Sequence, residues 1–204
     1  MPTLLCTMGS SWAVVPEAFF RHPEGYDRVA VMTTEAEVVR VDPLAAFFSE
    51  HLPGVVLDVA RLAGFTDLRD SADHALFEEA LYRWYLEQTA SAPAGPDVCL
   101  AGGFKTMSSA MQQAARLFGA ARVFHVQADG HPADAGAILE ARREGKIRFI
   151  DLGSEEGWPQ LRGLTADDYP LRTLARKGAA RLVVPAGDGL RAEVDRVIEP
   201  PEHG

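Results

Sequence analysis

Short apolar runs rich in β-branched residues recur along the chain at residues 4–7, 29–33, 55–59, 98–101 and 123–127, and the stretches between them carry apolar residues at helical spacing. An apolar run of that length, bounded by polar or glycine-containing turns, reads as a strand buried on both faces. Strands alternating with helices predict an α/β fold with a parallel sheet flanked by helices. Between the fourth and fifth runs, Met107, Ala110, Met111, Ala114, Leu117 and Phe118 share one helical face, and Gly119 ends the pattern. The longest helical pattern covers residues 70–88, with Asp70 or Ser71 as its cap. Its apolar face, which includes Leu76, Ala80, Leu81, Trp84 and Tyr85, is broad enough for burial on two sides. The second covering surface is either a neighbouring helix or another subunit. Pro16 suits the first turn of a helix that follows Ser11 or Trp12, where a missing N–H costs little.

Beyond Gly130 the pattern weakens. Residues 133–144 read as a helix, 146–152 as a strand, 171–177 as a short helix and 181–185 as a last strand. Residues 153–170 carry glycine, proline and acidic side chains over a length more typical of a functional flap than of a plain connection. The chain divides into a ligand-binding domain over residues 1–130 and an extension over 131–204 that completes the sheet or covers the site.

At 204 residues the chain can bury a real core, and a formal charge of -9 argues against broad electrostatic binding of duplex DNA. The partner expected is small or locally held. Cys6 and Cys99 each lie three residues before a turn glycine, which predicts side-by-side buried thiols and favours a reducing compartment. No signal peptide precedes Thr3, and no apolar run approaches the roughly 20 residues of a membrane span, so a cytoplasmic protein without membrane contact is expected. The six histidines lack ligand spacing and the cysteines lack a CxxC partner, so neither a metal site nor a cofactor is expected.

Two turns carry the candidate chemistry. In the first, an apolar run ends in Gly9-Ser10-Ser11-Trp12; in the second, one runs through Gly102 and Gly103 into Phe104, Lys105, Thr106 and Met107, where a helix opens. Glycines allow a tight turn and close approach to a ligand, the free N–H groups at a helix start face an anion, and Lys105 adds the matching charge. If the two preceding strands are central neighbours, Ser10, Ser11 and Lys105 converge on one crevice at the carboxyl edge of the sheet. One serine suffices to cap the following helix and the other is then free for a phosphate or a ribose hydroxyl. Trp12 either stacks on a base or closes the core, and Thr33 and Thr34 at the end of the second run carry the same ambiguity. Asp129 and His131, just past the fifth run, are placed to touch a ligand. Neither turn matches a dinucleotide fingerprint, a phosphate-binding loop or a nucleophile elbow.

The combination of Gly9-Ser10-Ser11, Thr33-Thr34 and Gly102-Gly103-Phe104-Lys105-Thr106-Met107 resembles the CRISPR-associated Rossmann fold (CARF) family, over roughly residues 1 to 130. The chain looks like the small stand-alone members. The resemblance implies a Rossmann-like sheet, a homodimer and a cyclic oligoadenylate ligand bound across the two-fold axis. It also implies that Ser10 or Ser11 and Lys105 contact phosphates and that Thr33, Thr34 and the backbone of residues 102–106 shape the pocket. Phe104 stands where a small polar residue is common in the family. No ribonuclease signature or basic recognition helix follows, so the chain is similar to ring nucleases, which cut the messenger and end type III CRISPR signalling. Catalysis would rest on Lys105, Ser11 and Ser10 without a metal, most plausibly on cyclic tetra-adenylate; the alternative is a receptor that binds the ring and regulates a partner protein.

Overall fold

The computed structural model describes residues 2–36, 40–62, 68–90, 92, 94–130, 132, 134–161 and 164–166, and the strand backbones at 179–184 and 193–194. In chain order the elements are β1 (Thr3–Met8), α1 (Val14–Phe19), β2 (Arg28–Thr34), α2 (Val41–His51), β3 (Val56–Leu62), α3 (Ser71–Thr89), β4 (Asp97–Cys99) and α4 (Lys105–Phe118). They continue with β5 (Ala120–Ala128), α5 (Ala135–Arg143), β6 (Ile147–Glu155), β7 (Ala179–Val184) and β8 (Glu193–Val194).

The strands form one eight-stranded sheet in the order β6-β5-β4-β1-β2-β3-β7-β8. The five from β5 to β3 run parallel, as expected, whereas β6, β7 and β8 are antiparallel to their neighbours. A parallel neighbour needs the chain to cross back to the amino edge, whereas here β6 begins where β5 ends, Ile147 pairing with Ala128, so the segment holding α5 returns the chain to the same edge and β6 runs antiparallel. From β1 the chain winds one way through β2 and β3, then crosses back to place β4 on the other side of β1. The order therefore reverses between β1 and β4, the strands that precede the two glycine turns.

Helices α1, α2 and α5 cover one face and α3 and α4 the other. On the first face Leu4, Cys6 and Met8 of β1 pack with Val15, Phe19, Phe47, Phe48 and Ile138. On the second, Leu5, Ala30 and Met32 pack with Phe77, Trp84, Tyr85, Met107 and Met111. Every residue of β1 is buried, which is why its sequence reads as a continuous apolar run rather than an alternation. Cys6 and Cys99 sit opposite each other in register and are both fully buried free thiols. Burial, with the Cys99 thiol adding to it, raises the Cys6 pKa well above that of an ordinary thiol.

The broad face of α3 is covered within the chain, by the sheet and by α4. Tyr82 meets Phe118 at 5.7 Å between ring centroids, and the Tyr85 hydroxyl donates to the Gly119 carbonyl at 2.6 Å. Asp70 caps α3, accepting from the N–H groups of Ala72 and Asp73 at 2.9 and 2.8 Å. Gly119 ends α4 at φ 93°, a left-handed conformation that favours glycine. The helix expected over 171–177 lies outside the described residues, as does the last residue of the strand expected over 181–185.

The flap expected over 153–170 needs correction where it is described. Residues 153–155 belong to β6, and because β6 runs antiparallel to β5 they pair beside Ala120 and Val123, at the amino edge of the parallel strands. Trp158 then donates its N–H to the Leu117 carbonyl at 2.9 Å, at the end of α4. The described part of this segment is thus pinned at the edge opposite the two glycine turns.

Candidate functional site

The two glycine turns meet at the carboxyl edge of β1 and β4 through bare backbone. A Cβ added to Gly9 would lie 3.0 Å from the Gly103 Cα, and one added to Gly102 would lie 1.8 Å from the Thr7 carbonyl oxygen. Only glycine at 102 lets the second turn approach β1 this closely. The Gly102 carbonyl is then fixed from two sides: the Thr7 hydroxyl donates to it at 2.6 Å and the Ser108 hydroxyl at 3.1 Å. Thr33 braces the other turn, its hydroxyl donating to the Met8 carbonyl at 2.9 Å. Thr7 and Ser108 escaped the sequence reading; for Thr7 the signal was a hydroxyl in a mostly apolar strand two residues ahead of the turn glycine.

Helix α4 opens at Lys105, one residue before the expected Thr106. No side-chain cap and no acidic residue accompanies its first turn, and its N-cap is Phe104. The one local contact there is the Phe104 N–H against the Met107 sulfur at 3.4 Å. The N–H groups that open α4 therefore have no other acceptor among the described residues, which is the condition for anion binding at a helix start. Lys105 is exposed and its ammonium makes no ion pair or hydrogen bond with any described residue. That arrangement is unfavourable beside the positive end of the helix dipole until an anion arrives.

The serine cap expected for the first helix is not formed. Helix α1 starts at Val14 with Ala13 as its N-cap and no side-chain hydrogen bond, because Trp12 turns into the core and its carbonyl accepts from Val15 at 3.2 Å. Ser10 and Ser11 are both exposed, and neither hydroxyl is engaged by a described residue. Trp12 is 9 % exposed and lies 6.0 Å from Phe47 between ring centroids, so it closes the core. Pro16 occupies the third position of α1, in its first turn.

The remaining candidates separate. Thr33 and Thr34 are fully buried, and the Thr34 hydroxyl has no hydrogen-bond partner among the described residues. They lie behind the turns rather than at their surface. Met107 is buried under α4, whereas Phe104 and Thr106 are exposed beside Lys105. Asp129 reaches the same edge two strands away from β1, where it is exposed and holds Arg148 at 2.7 Å rather than either glycine turn, and His131 lies outside the described residues.

At the opposite edge a cavity of about 360 Å³ opens between the amino ends of β1, β4 and β5, lined in part by Thr3, His22, Tyr26, Gly95, Asp97 and Arg122. Its charged groups answer one another, since the Tyr26 hydroxyl donates to Asp97 at 2.8 Å and Arg122 stands 3.6 Å from the same carboxylate, whereas the buried His22 Nδ1 has no hydrogen-bond partner among the described residues. Burial, reinforced by the Asp97 charge, raises the Tyr26 phenol well above its ordinary value and keeps it a donor. This cavity is remote from the glycine turns and carries none of their free donors. Among the described residues no helix is long and apolar enough to cross a membrane.

No family model matches the chain, and no curated protein sequence matches it. Solved structures do match. Csm6 from Enterococcus italicus, bound to cyclic hexa-2'-fluoro-hexa-dAMP, aligns over 74% of this chain and 41% of its own, with a TM-score of 0.55 at 12% identity. Can2 from Sulfobacillus thermosulfidooxidans, in complex with cyclic tetra-adenylate, aligns over 63% of this chain and 33% of its own, with a TM-score of 0.45 at 17% identity. A type III CRISPR defence DNA nuclease activated by cyclic oligoadenylate aligns over 78% of this chain and 22% of its own, with a TM-score of 0.49 at 20% identity. The two lower scores add nothing to the argument, and the chain spans about two fifths of the Csm6 chain. What the first likeness shows is a shared α/β, Rossmann-like fold.

Proposed function

We propose that this chain is a CARF-type protein that binds a cyclic oligoadenylate between its two glycine turns and cleaves it without a metal ion, so switching off type III CRISPR signalling. The observation that carries the reading is the contact of Gly9 with Gly103 at the β1/β4 reversal, beside the uncapped start of α4 and the unengaged ammonium of Lys105. A crevice outside the carboxyl ends of parallel strands, at such a reversal, is where this class of sheet takes its ligands. Its free groups are all of one kind: backbone N–H groups, two serine hydroxyls and an ammonium, which together suit phosphodiester oxygens. The fold shared with Csm6, which was solved with a cyclic oligonucleotide, supports the choice of ligand.

In the proposed reaction a ribose 2′-oxygen attacks the adjacent phosphorus, the P–O5′ bond breaks, and the 2′-hydroxyl proton passes to water while the departing 5′-oxygen takes one up. The product ends in a 2′,3′-cyclic phosphate, and cutting both halves of cyclic tetra-adenylate gives linear di-adenylate. The protein's part is to hold the 2′-oxygen in line and to stabilise the charge that builds on the phosphate. Lys105 supplies the charge, and Ser10 or Ser11 orients the phosphate. Two copies of the chain around a two-fold axis would present two such crevices to a symmetric ring.

One observation favours the second reading, a receptor that binds without cutting and acts on a partner protein: residues 9–12 and 101–107 contain neither an imidazole nor a carboxylate to take the 2′-hydroxyl proton. Incubation with labelled cyclic tetra-adenylate in chelator, followed by thin-layer separation, decides between them. Linear di-adenylate with a cyclic phosphate end supports the nuclease. Ring that is bound but stays intact leaves the receptor, and a ring that is neither bound nor cut overturns both.

A further inference from the structure

Phe104 occupies a position where helix physics argues against a phenyl ring. As the N-cap of α4 it has φ -69° and ψ 157°, the extended conformation in which Ser, Thr, Asp or Asn would accept a first-turn N–H. A phenyl ring has no such acceptor. The ring is also 36% exposed and belongs to neither hydrophobic cluster, so it does not repay the lost cap by packing in the core. A single exposed apolar side chain is ordinary on a protein surface. An exposed aromatic that displaces a helix cap, directly between Gly103 and the unengaged Lys105, is not.

We propose that Phe104 is a stacking platform for a nucleobase of the bound ligand, and so a residue that makes the crevice select base-bearing rings over simple phosphate anions. The inference rests on the reading of the crevice as a cyclic oligoadenylate site. Phosphate and base hang from the same sugar, so a phosphate held at the start of α4 brings a base to the residues flanking that start. Every base has a π-face, and an aromatic ring with one face in water receives it without moving a packed core. Lys105 and the helix N–H groups would recognise the backbone of the ring, while Phe104 would report that a base is attached.

The test titrates the full chain with cyclic tetra-adenylate carrying one 2-aminopurine, whose fluorescence falls on stacking. Wild type should bind with quenching, F104A should bind roughly 5- to 100-fold more weakly with the quenching lost, and F104W should retain both. F104S, which restores a capping hydroxyl, should raise Tm by about 2–4 °C and thereby show that the phenyl ring is held against stability. Wild-type affinity and quenching in F104A overturn the stacking role while leaving the crevice reading intact. An F104A variant that changes oligomeric state but not affinity overturns it in favour of a subunit contact. If wild type binds no cyclic oligoadenylate, the crevice reading fails and this inference fails with it.

Discussion

The two edges of the parallel strands use their polar groups in opposite ways. At the amino edge the charges satisfy each other: Tyr26 and Arg122 close on Asp97, and Arg28 contacts both Asp58 and Gln88, whose carboxamide accepts at 3.1 Å. At the carboxyl edge between β1 and β4 the donors are left over, with two serine hydroxyls, an ammonium and an uncapped helix start gathered on two turns that touch through glycine. A buried polar group is costly unless it is paired, so a finished network reads as stability. Exposed donors held by a braced backbone are what the proposed phosphate site requires. The contrast also explains why the cavity at the amino edge is the poorer candidate: its charged groups already pair with one another.

The comparison breaks most severely at Gly102. In Gly102→Ala the new methyl would lie 1.8 Å from the Thr7 carbonyl oxygen, and neither the Cβ fixed to one backbone nor the carbonyl of the other can step aside. The expected loss is at least about 3 kcal/mol of unfolding free energy, measured by urea denaturation, with ligand binding abolished. A protein of wild-type stability would show that the turns do not meet as described. At the other edge, Asp58→Ala would strand the partly buried Arg28 and should cost toward the lower end of about 3–5 kcal/mol, with crevice affinity unchanged. Altered affinity in that variant would mean the edges are coupled rather than separate.

Lys105→Ala should reverse that pattern. Tm should stay at the wild-type value or rise by up to about 4 °C, because the exposed side chain has no partner among the described residues and its loss relieves the unfavourable charge at the helix start, while cleavage should fall about 100-fold or more. Equal loss of stability and activity would make Lys105 structural. The smallest effect is expected at Asp151, whose carboxyl the Arg21 hydrogen bond holds below the ordinary aspartate range. Since the folded-state pKa is the depressed one, the contribution to stability is present above the unfolded-state value and is lost as pH falls through the folded-state value. A carboxyl NMR titration should find Asp151 shifting below its neighbours and returning to normal in Arg21→Ala, with binding at the crevice untouched.

The central strands and the meeting of the two glycine turns were legible because burial on both faces leaves an unbroken apolar run, and because strand-glycine-helix junctions at two such runs imply one edge. The serine cap was misread for a local reason: Ser10 and Ser11 offer the right chemistry, but Trp12 and Ala13 are drawn into the core before the helix begins at Val14. The stretch from Gly153 was misread because glycine and acidic residues mark an exposed edge strand as readily as a loop, and every residue from Arg148 to Glu155 except Phe149 and Glu155 is exposed. The paired charges at the amino edge were invisible, since Tyr26 and Asp97 are 71 positions apart in sequence. A carboxylate in the middle of an apolar strand, as at Asp58, was the one available hint.

The hydrogen bond from Thr7 to Gly102 joins residues 95 positions apart. A nascent chain that has emerged only as far as β3 therefore carries the serine turn with nothing opposite it. The two turns can face each other only once β4 lies beside β1, so a shorter growing polypeptide cannot hold a ligand in a half-formed grip.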